Sequence, residues 1–203
     1  MKNFSIRQIP LRRRTLEQVN KDQQFAQLYG ALAPEVFCPE KVRIGTIGDG
    51  GKWVCNPWKV PNDSDEQTEA TRKVYSEIRG VSKKALISMT TSQKNQTSTI
   101  EDLAKDAGVT KVEILKIDIE GAEKTCLIPF LEKFTVCQIY LEVHGGAQEH
   151  VKLLQEIAHL NYRLFSYEVN GFGMTACEYS FIHETCIEKY GGRRIAYFLD
   201  YLN

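Results

Sequence analysis

Four side chains in this 203-residue chain have the types and spacing to do chemistry: Asp118, Glu120, Glu142 and His144. Asp118 and Glu120 follow the apolar run Val112, Ile114, Leu115 and Ile117, and they are two residues apart. On a continuing strand they share a face. Glu142 and His144 repeat that spacing after Val136, Ile139 and Leu141. Carboxylates that follow a strongly apolar strand need hydrogen-bonding partners or solvent. Such a pair can bind a divalent cation, grip a ligand amine or hydroxyl, or hold one proton between them for acid–base work. His144 is suited to three roles: a base near neutral pH, a metal ligand, or a satisfied structural imidazole. One histidine beside three acids is a poor zinc set and a passable set for Mg²⁺ or Mn²⁺. The structural alternative is that Asp118 caps a turn and Glu120 faces solvent.

The elements that must position these groups are legible around them. Residues 112–119 and 136–144 are too apolar for half-exposed strands, and a short helix joins them. Two such strands joined through a helix predict a parallel sheet covered on both faces, with the four groups beyond its carboxyl ends, where ligands of open α/β sheets bind. Gly121 lets the chain turn from strand to helix, and Glu123 in the first helical turn is favoured by the unpaired amides there. Ahead of this unit, residues 11–29 carry helical periodicity, and Arg12 to Arg14 form a basic face, either solvated or turned to a membrane or an acidic partner. Residues 42–58 read as two short strands around the turn Gly48-Asp49-Gly50-Gly51. That turn is either a hairpin loop or a backbone nest for a phosphate or a cofactor carboxylate; its spacing is not GxGxxG. Residues 66–79 form a candidate helix, 85–89 a strand, and Ser98 with Glu101 a capping box for a helix ending near Ala107. After the central unit come a helix over 148–160, strands over 162–169 and 174–182, a short helix over 184–190, and a last strand over 195–199. Turn-linked strands at the end predict an antiparallel edge on the sheet.

Lys+Arg and Asp+Glu both number 26, so the formal net charge is zero and nothing favours a nucleic-acid partner. The start has no apolar run long enough for a signal peptide, and no stretch approaches a membrane span, which gives a soluble, cytoplasmic expectation. The six cysteines contain no CxxC pair, and several interrupt apolar runs. They are expected to be reduced core residues, with Cys38 and Cys55 the first pair to examine for a disulfide because they flank the glycine-rich turn. His150, His159 and His183 lack a partner pattern and are expected to be structural or exposed. G-x-S-x-G, Walker A and HExxH motifs do not occur, which removes the usual support for serine hydrolase, P-loop and zincin readings.

At LKIDIEGAE, residues 115–123, the chain resembles the FkbM-like methyltransferases, in particular the animal methyltransferase-like branch. The likeness continues through TSTIEDL, CQIYLEVHGG, YRLFSYEVNG and CEYSFIHETCIEKYG, and RIGTIGDGGKWVCNP is similar to the box that precedes the catalytic fold. The resemblance implies a Rossmann-like, three-layer α/β fold with a mostly parallel sheet and an antiparallel C-terminal edge. It implies S-adenosylmethionine as cofactor and transfer of methyl to a hydroxyl oxygen. Asp118, Glu120 and Gly121 fall at the cofactor's methyl end; Asp118 also positions the acceptor, and His144, with Glu142, is the expected base. Residues 1–60 would hold the N-terminal helix and glycine-rich box, and 61–203 a partial methyltransferase-like domain. The chain departs from the family where the first strand, its Gly-rich cofactor loop and a second strand are expected: no glycine occurs between Gly51 and Gly80. The cofactor-binding half is therefore expected to be incomplete, and two alternatives stand beside active methyl transfer: a non-catalytic or partner-dependent remnant, and a metal-dependent hydrolase using the acidic cluster. A small-molecule or glycan acceptor and self-association through an exposed sheet edge are the expected partners. Longer relatives carry secretory or membrane-anchor segments.

Overall fold

The computed structural model describes residues 2–45, 50–59 and 85–200. The expected helix over 66–79 and the turn residues Gly48 and Asp49 lie outside them. The N-terminal helical pattern forms two helices rather than one, α1 (Lys2–Glu17) and α2 (Phe25–Ala31). Between them, the side-chain oxygen of Gln24 accepts the backbone amides of Asn20 and Lys21, which holds the break. Next come β1 (Val36–Phe37), β2 (Lys41–Ile44) and β3 (Lys52–Cys55), the last two paired as an antiparallel hairpin. The pair β4 (Leu86–Ile87) and β5 (Thr97–Ser98) is parallel and leads into α3 (Ile100–Asp106). The α3 cap is Thr99, whose hydroxyl accepts the amide of Asp102, and not the expected Ser98, which is spent in β5.

The central unit follows as β6 (Val112–Ile117), α4 (Glu123–Leu131), β7 (Val136–His144) and α5 (Ala147–His159), then β8 (Tyr162–Val169), β9 (Ala176–His183) and β10 (Arg193–Arg194). The main sheet has the order β6-β7-β9-β8. β6 and β7 are parallel, whereas β7–β9 and β9–β8 are antiparallel. The antiparallel C-terminal edge is thus as expected, but this sheet is mixed rather than mostly parallel among the described residues. No strand was found over 195–199: β10 is shorter, pairs with β1, and delivers Phe198 and Leu199 into the core as irregular chain. The buried Glu35 carboxylate accepts the amides of Phe198 and Leu199, so that segment needs no strand partner to be satisfied.

β7 is buried at every position from Val136 to Val143, which is why its sequence is apolar apart from Gln138 and Glu142. One sheet face packs Ile139, Leu141 and Val143 against Leu127 and Phe130 of α4, Leu154 and Ile157 of α5, and Leu16 and Leu28 of the N-terminal helices. The opposite face differs from expectation. Tyr140, Phe165 and Ile182 are covered by Val36, by Val54 and Cys55 of the hairpin, and by Tyr190. The hairpin is joined to the sheet by an amide clamp: the Cys55 amide donates to Gln138 Oε1 at 2.9 Å, and Gln138 Nε2 donates to the Cys55 carbonyl at 2.8 Å.

Four of the six cysteines are oxidised, which corrects the expectation of reduced thiols. Cys38 is bonded to Cys55, the pair singled out from the sequence, and Cys137 to Cys186. The second pair was not legible because its partners, separated by 49 residues, meet only when β9 returns beside β7. Cys126 and Cys177 are free and buried, as small core residues. Among the described residues, no helix is long and apolar enough to cross a membrane.

Candidate active site at the carboxyl ends of β6 and β7

Parallel pairing of β6 with β7 brings their carboxyl ends together, with Ile117 opposite Leu141. Asp118, Glu142 and His144 each contribute one atom to a group lying within 4.8 Å of one another. These are three of the four residues expected to do chemistry. Glu120, the fourth of the constellation, also arrives: its Oε2 is 3.5 Å from His144 Nε2, although its side chain is 83% exposed. Glu142 Oε1 is 3.7 Å from the same nitrogen.

The turn that achieves this is tightly specified. Glu120 has φ +54° and Gly121 φ +99°, so the chain passes through two left-handed residues between β6 and α4. Glycine takes such a φ without steric cost, whereas Glu120 is held there by its neighbours. The holder is Glu123, whose fully buried carboxylate accepts the amides of Ile119 and Gly121. The Gly121 N–H, the candidate cofactor contact, is engaged in that bond.

Glu123 also faces His144, with Oε1 at 3.5 Å from Nδ1, and Nδ1 is buried without a hydrogen bond among the described residues. A first-turn acid therefore does two local tasks, of which the sequence disclosed only its helix-terminus position. Two further residues were missed. Asn170, in the β8–β9 turn, donates through Nδ2 to Glu142 Oε1 at 3.3 Å. Glu178 lies directly opposite Glu142 across the β7–β9 ladder, is 1% exposed, and is ion-paired to Lys52 of the hairpin. Burial pushes its carboxyl up to about 7; Lys52 opposes that shift and Glu142 adds to it. The alternation of β9 placed Glu178 on a sheet face, but nothing local showed that β9 would lie beside β7.

Lys116 reaches Asp118 Oδ2 at 2.5 Å. Asp118, Glu142 and His144 are close enough to share a divalent cation. However, the Lys116 ammonium already neutralises one carboxylate and Asn170 engages another, so the donor set does not call for a metal. His150, by contrast, is a structural histidine, buried and bonded to the Tyr179 hydroxyl and the Thr175 carbonyl, with its pKa lowered by burial to about 4.

The glycine-rich turn has a packing role. A Cβ at Gly50, which has φ +79°, would come within 2.9 Å of Glu178 Cγ. The hairpin can therefore sit directly on the buried acid only with glycine here. Along the outer edge of β6, which no strand pairs among the described residues, runs a groove of about 430 Å³. It is lined by apolar side chains, including Ile87, Leu103, Val109 and Leu115, with Asp118 at its rim.

Ligands of open α/β sheets bind at the carboxyl ends of strands, which is where these acids and the histidine gather. Residues 53–164 match the family described as Methyltransferase FkbM domain, and residues 6–76 match a second family, described as Methyltransferase domain. The first match spans more than half of the chain and includes Asp118, Glu120, Gly121, Glu142 and His144. The chain belongs to the FkbM methyltransferase-domain family, with methyl transfer as the general class of activity. No significant match was found to a curated protein or to a solved structure.

Proposed function

We propose that the chain carries out S-adenosylmethionine-dependent O-methyl transfer, with the acceptor hydroxyl at the group formed by Asp118, Glu142 and His144. The observation that carries this reading is the convergence of those three side chains within 4.8 Å, inside the FkbM match and beyond the one parallel strand pair of the main sheet. The sheet is read as the second half of a Rossmann-like fold.

The residues fit one end of the cofactor. Carboxylates at Glu120 and Glu142 complement a sulfonium charge, and the apolar groove with an acid at its rim suits an adenosyl group. Among the described residues, no glycine turn with free N–H groups supports the amino-acid end. When bound, the cofactor supplies an electrophilic methyl group. The chain's own part is to hold the acceptor oxygen and remove its proton. The acceptor hydroxyl donates its hydrogen to His144 Nε2, which takes that proton when the methyl is transferred and S-adenosylhomocysteine leaves, while Asp118 holds the acceptor in position beside it. Glu123, opposite Nδ1, favours the tautomer with hydrogen on that nitrogen and leaves Nε2 as the base. Glu120 and Glu142 then stabilise the imidazolium.

Two disulfides further support residence in an oxidising compartment in place of the cytoplasm, because such bonds persist where thiols are not kept reduced. A second reading, a non-catalytic or partner-dependent relative, is favoured by the unpaired edge of β6. It is separated from the first by cofactor binding. The metal-dependent hydrolase reading gains nothing from a donor set already engaged by Lys116 and Asn170. The test is methyl transfer from labelled S-adenosylmethionine across an acceptor panel, comparing the wild type with Asp118→Asn and His144→Ala. A rate loss well above tenfold is expected in each variant, and a tenfold or smaller loss removes the assigned roles.

A further inference from the structure

The buried pair Glu142 and Glu178 is not explained by the acceptor chemistry alone. The two residues face each other across β7 and β9 and are 5% and 1% exposed. Two like charges side by side in a low-dielectric interior repel strongly unless a cation or a proton intervenes. The cation is present, and it comes from the hairpin: Lys52 Nζ is ion-paired to Glu178 Oε1. The other Glu178 oxygen, Oε2, is buried and has no hydrogen-bond partner among the described residues. On the far side of the pair, Glu142 Oε1 takes the Asn170 amide and lies 3.7 Å from His144 Nε2.

Arg43 pairs with Glu168, which lies beyond Glu178 on β8, and Lys41 donates to Ser166 at 3.2 Å. Lys52 directs its charge at the acid pair itself. Gly50, two residues earlier, allows the close approach that brings it there.

We propose that Lys52 and Glu178 are positioning residues for the site: Lys52 fixes Glu178, and Glu178 fixes the Glu142 carboxylate against His144. The glycine-rich box then serves the chemistry from the sheet face that it covers, by holding an acid in place. Burial raises the Glu178 carboxyl and Lys52 opposes that shift. The relay rests on the reading of His144 as the base.

The experiment needs neither cofactor nor acceptor, so its failure is separable from failure of the methyl-transfer reading. The imidazole ¹⁵N resonances of the four histidines are recorded at one fixed pH and assigned by single substitution. His150, buried and bonded to Tyr179, reports whether the fold is intact. Lys52→Met and Glu178→Ala are expected to displace the His144 Nε2 resonance while leaving His150 unchanged. Glu178→Gln, which keeps the shape and can donate to Glu142, is expected to hold His144 close to its wild-type shift. Lys41→Met, on the same hairpin but bonded to Ser166, should leave it unmoved. An unchanged His144 in Lys52→Met overturns the proposal, as does an equal displacement in Lys41→Met. If Glu178→Ala fails to fold, Lys52→Met and Glu178→Gln decide the matter alone.

Discussion

His144 sits among Glu120, Glu123 and Glu142, each with an oxygen 3.5–3.7 Å from one of its ring nitrogens. Of the residues that make up the site, those on the ends of β6 and β7 could be read from sequence. Asp118, Glu142 and His144 were visible because acids and a histidine interrupt apolar strands at a period of two. Glu178 was not, since its importance arises from a cross-strand neighbour 36 positions earlier in the chain, Glu142. Its titration gives a pH prediction. The groups facing Glu178 are Lys52 from β3, Glu142 from β7 and Glu168 from β8. Burial, against Lys52 and with Glu142, raises its carboxyl from 4.5 to about 7. An acid with a raised pKa in the folded state is held protonated there. The fold therefore loses stability as pH rises from 4.5 to about 7, and the loss persists above that window. Thermal unfolding midpoints of the wild type should fall across that interval, and Glu178→Gln should flatten the fall. An identical slope in the two proteins would contradict the assignment.

At the scale of elements, the strand–helix–strand unit was legible because β7 is mostly apolar, with Gly121 ahead of the helix and Gly145-Gly146 after the strand. The hairpin β2–β3 was legible as a hairpin, but its place was not: it covers the sheet face where a second helical layer was expected. What fixes it there is long-range, namely the Gln138 amide clamp, the Lys52–Glu178 pair and the Cys38–Cys55 disulfide. Closed loops of 17 and 49 residues stabilise by about 3 and about 4 kcal/mol in the chain-entropy estimate. Peptide mapping without reduction should recover Cys38–Cys55 and Cys137–Cys186, with alkylation of Cys126 and Cys177 only after unfolding. Reduction should lower the unfolding midpoint clearly. Recovery of four freely alkylated thiols from protein made in an oxidising compartment would refute this pairing and the compartment inferred from it.

At the scale of the molecule, β6 is the element with an unresolved obligation. It pairs with β7 on one side, and among the described residues no strand pairs with the other. The apolar groove along that side is open, and an unpaired strand edge invites association. Sedimentation velocity across a concentration series should show reversible self-association, and a monomer at every concentration would exclude it. The same open side is where cofactor support was expected to be reduced, because the sequence has no glycine between Gly51 and Gly80. The family's chemistry therefore depends on whether the groove and the acids at its end suffice to hold the cofactor. Calorimetric titration of the folded, monodisperse protein with S-adenosylmethionine and S-adenosylhomocysteine tests this most directly. The account predicts saturable binding of both, weakened by Asp118→Asn. Absence of binding by protein that is folded and has both disulfides intact would contradict autonomous methyl transfer and leave the partner-dependent reading in its place.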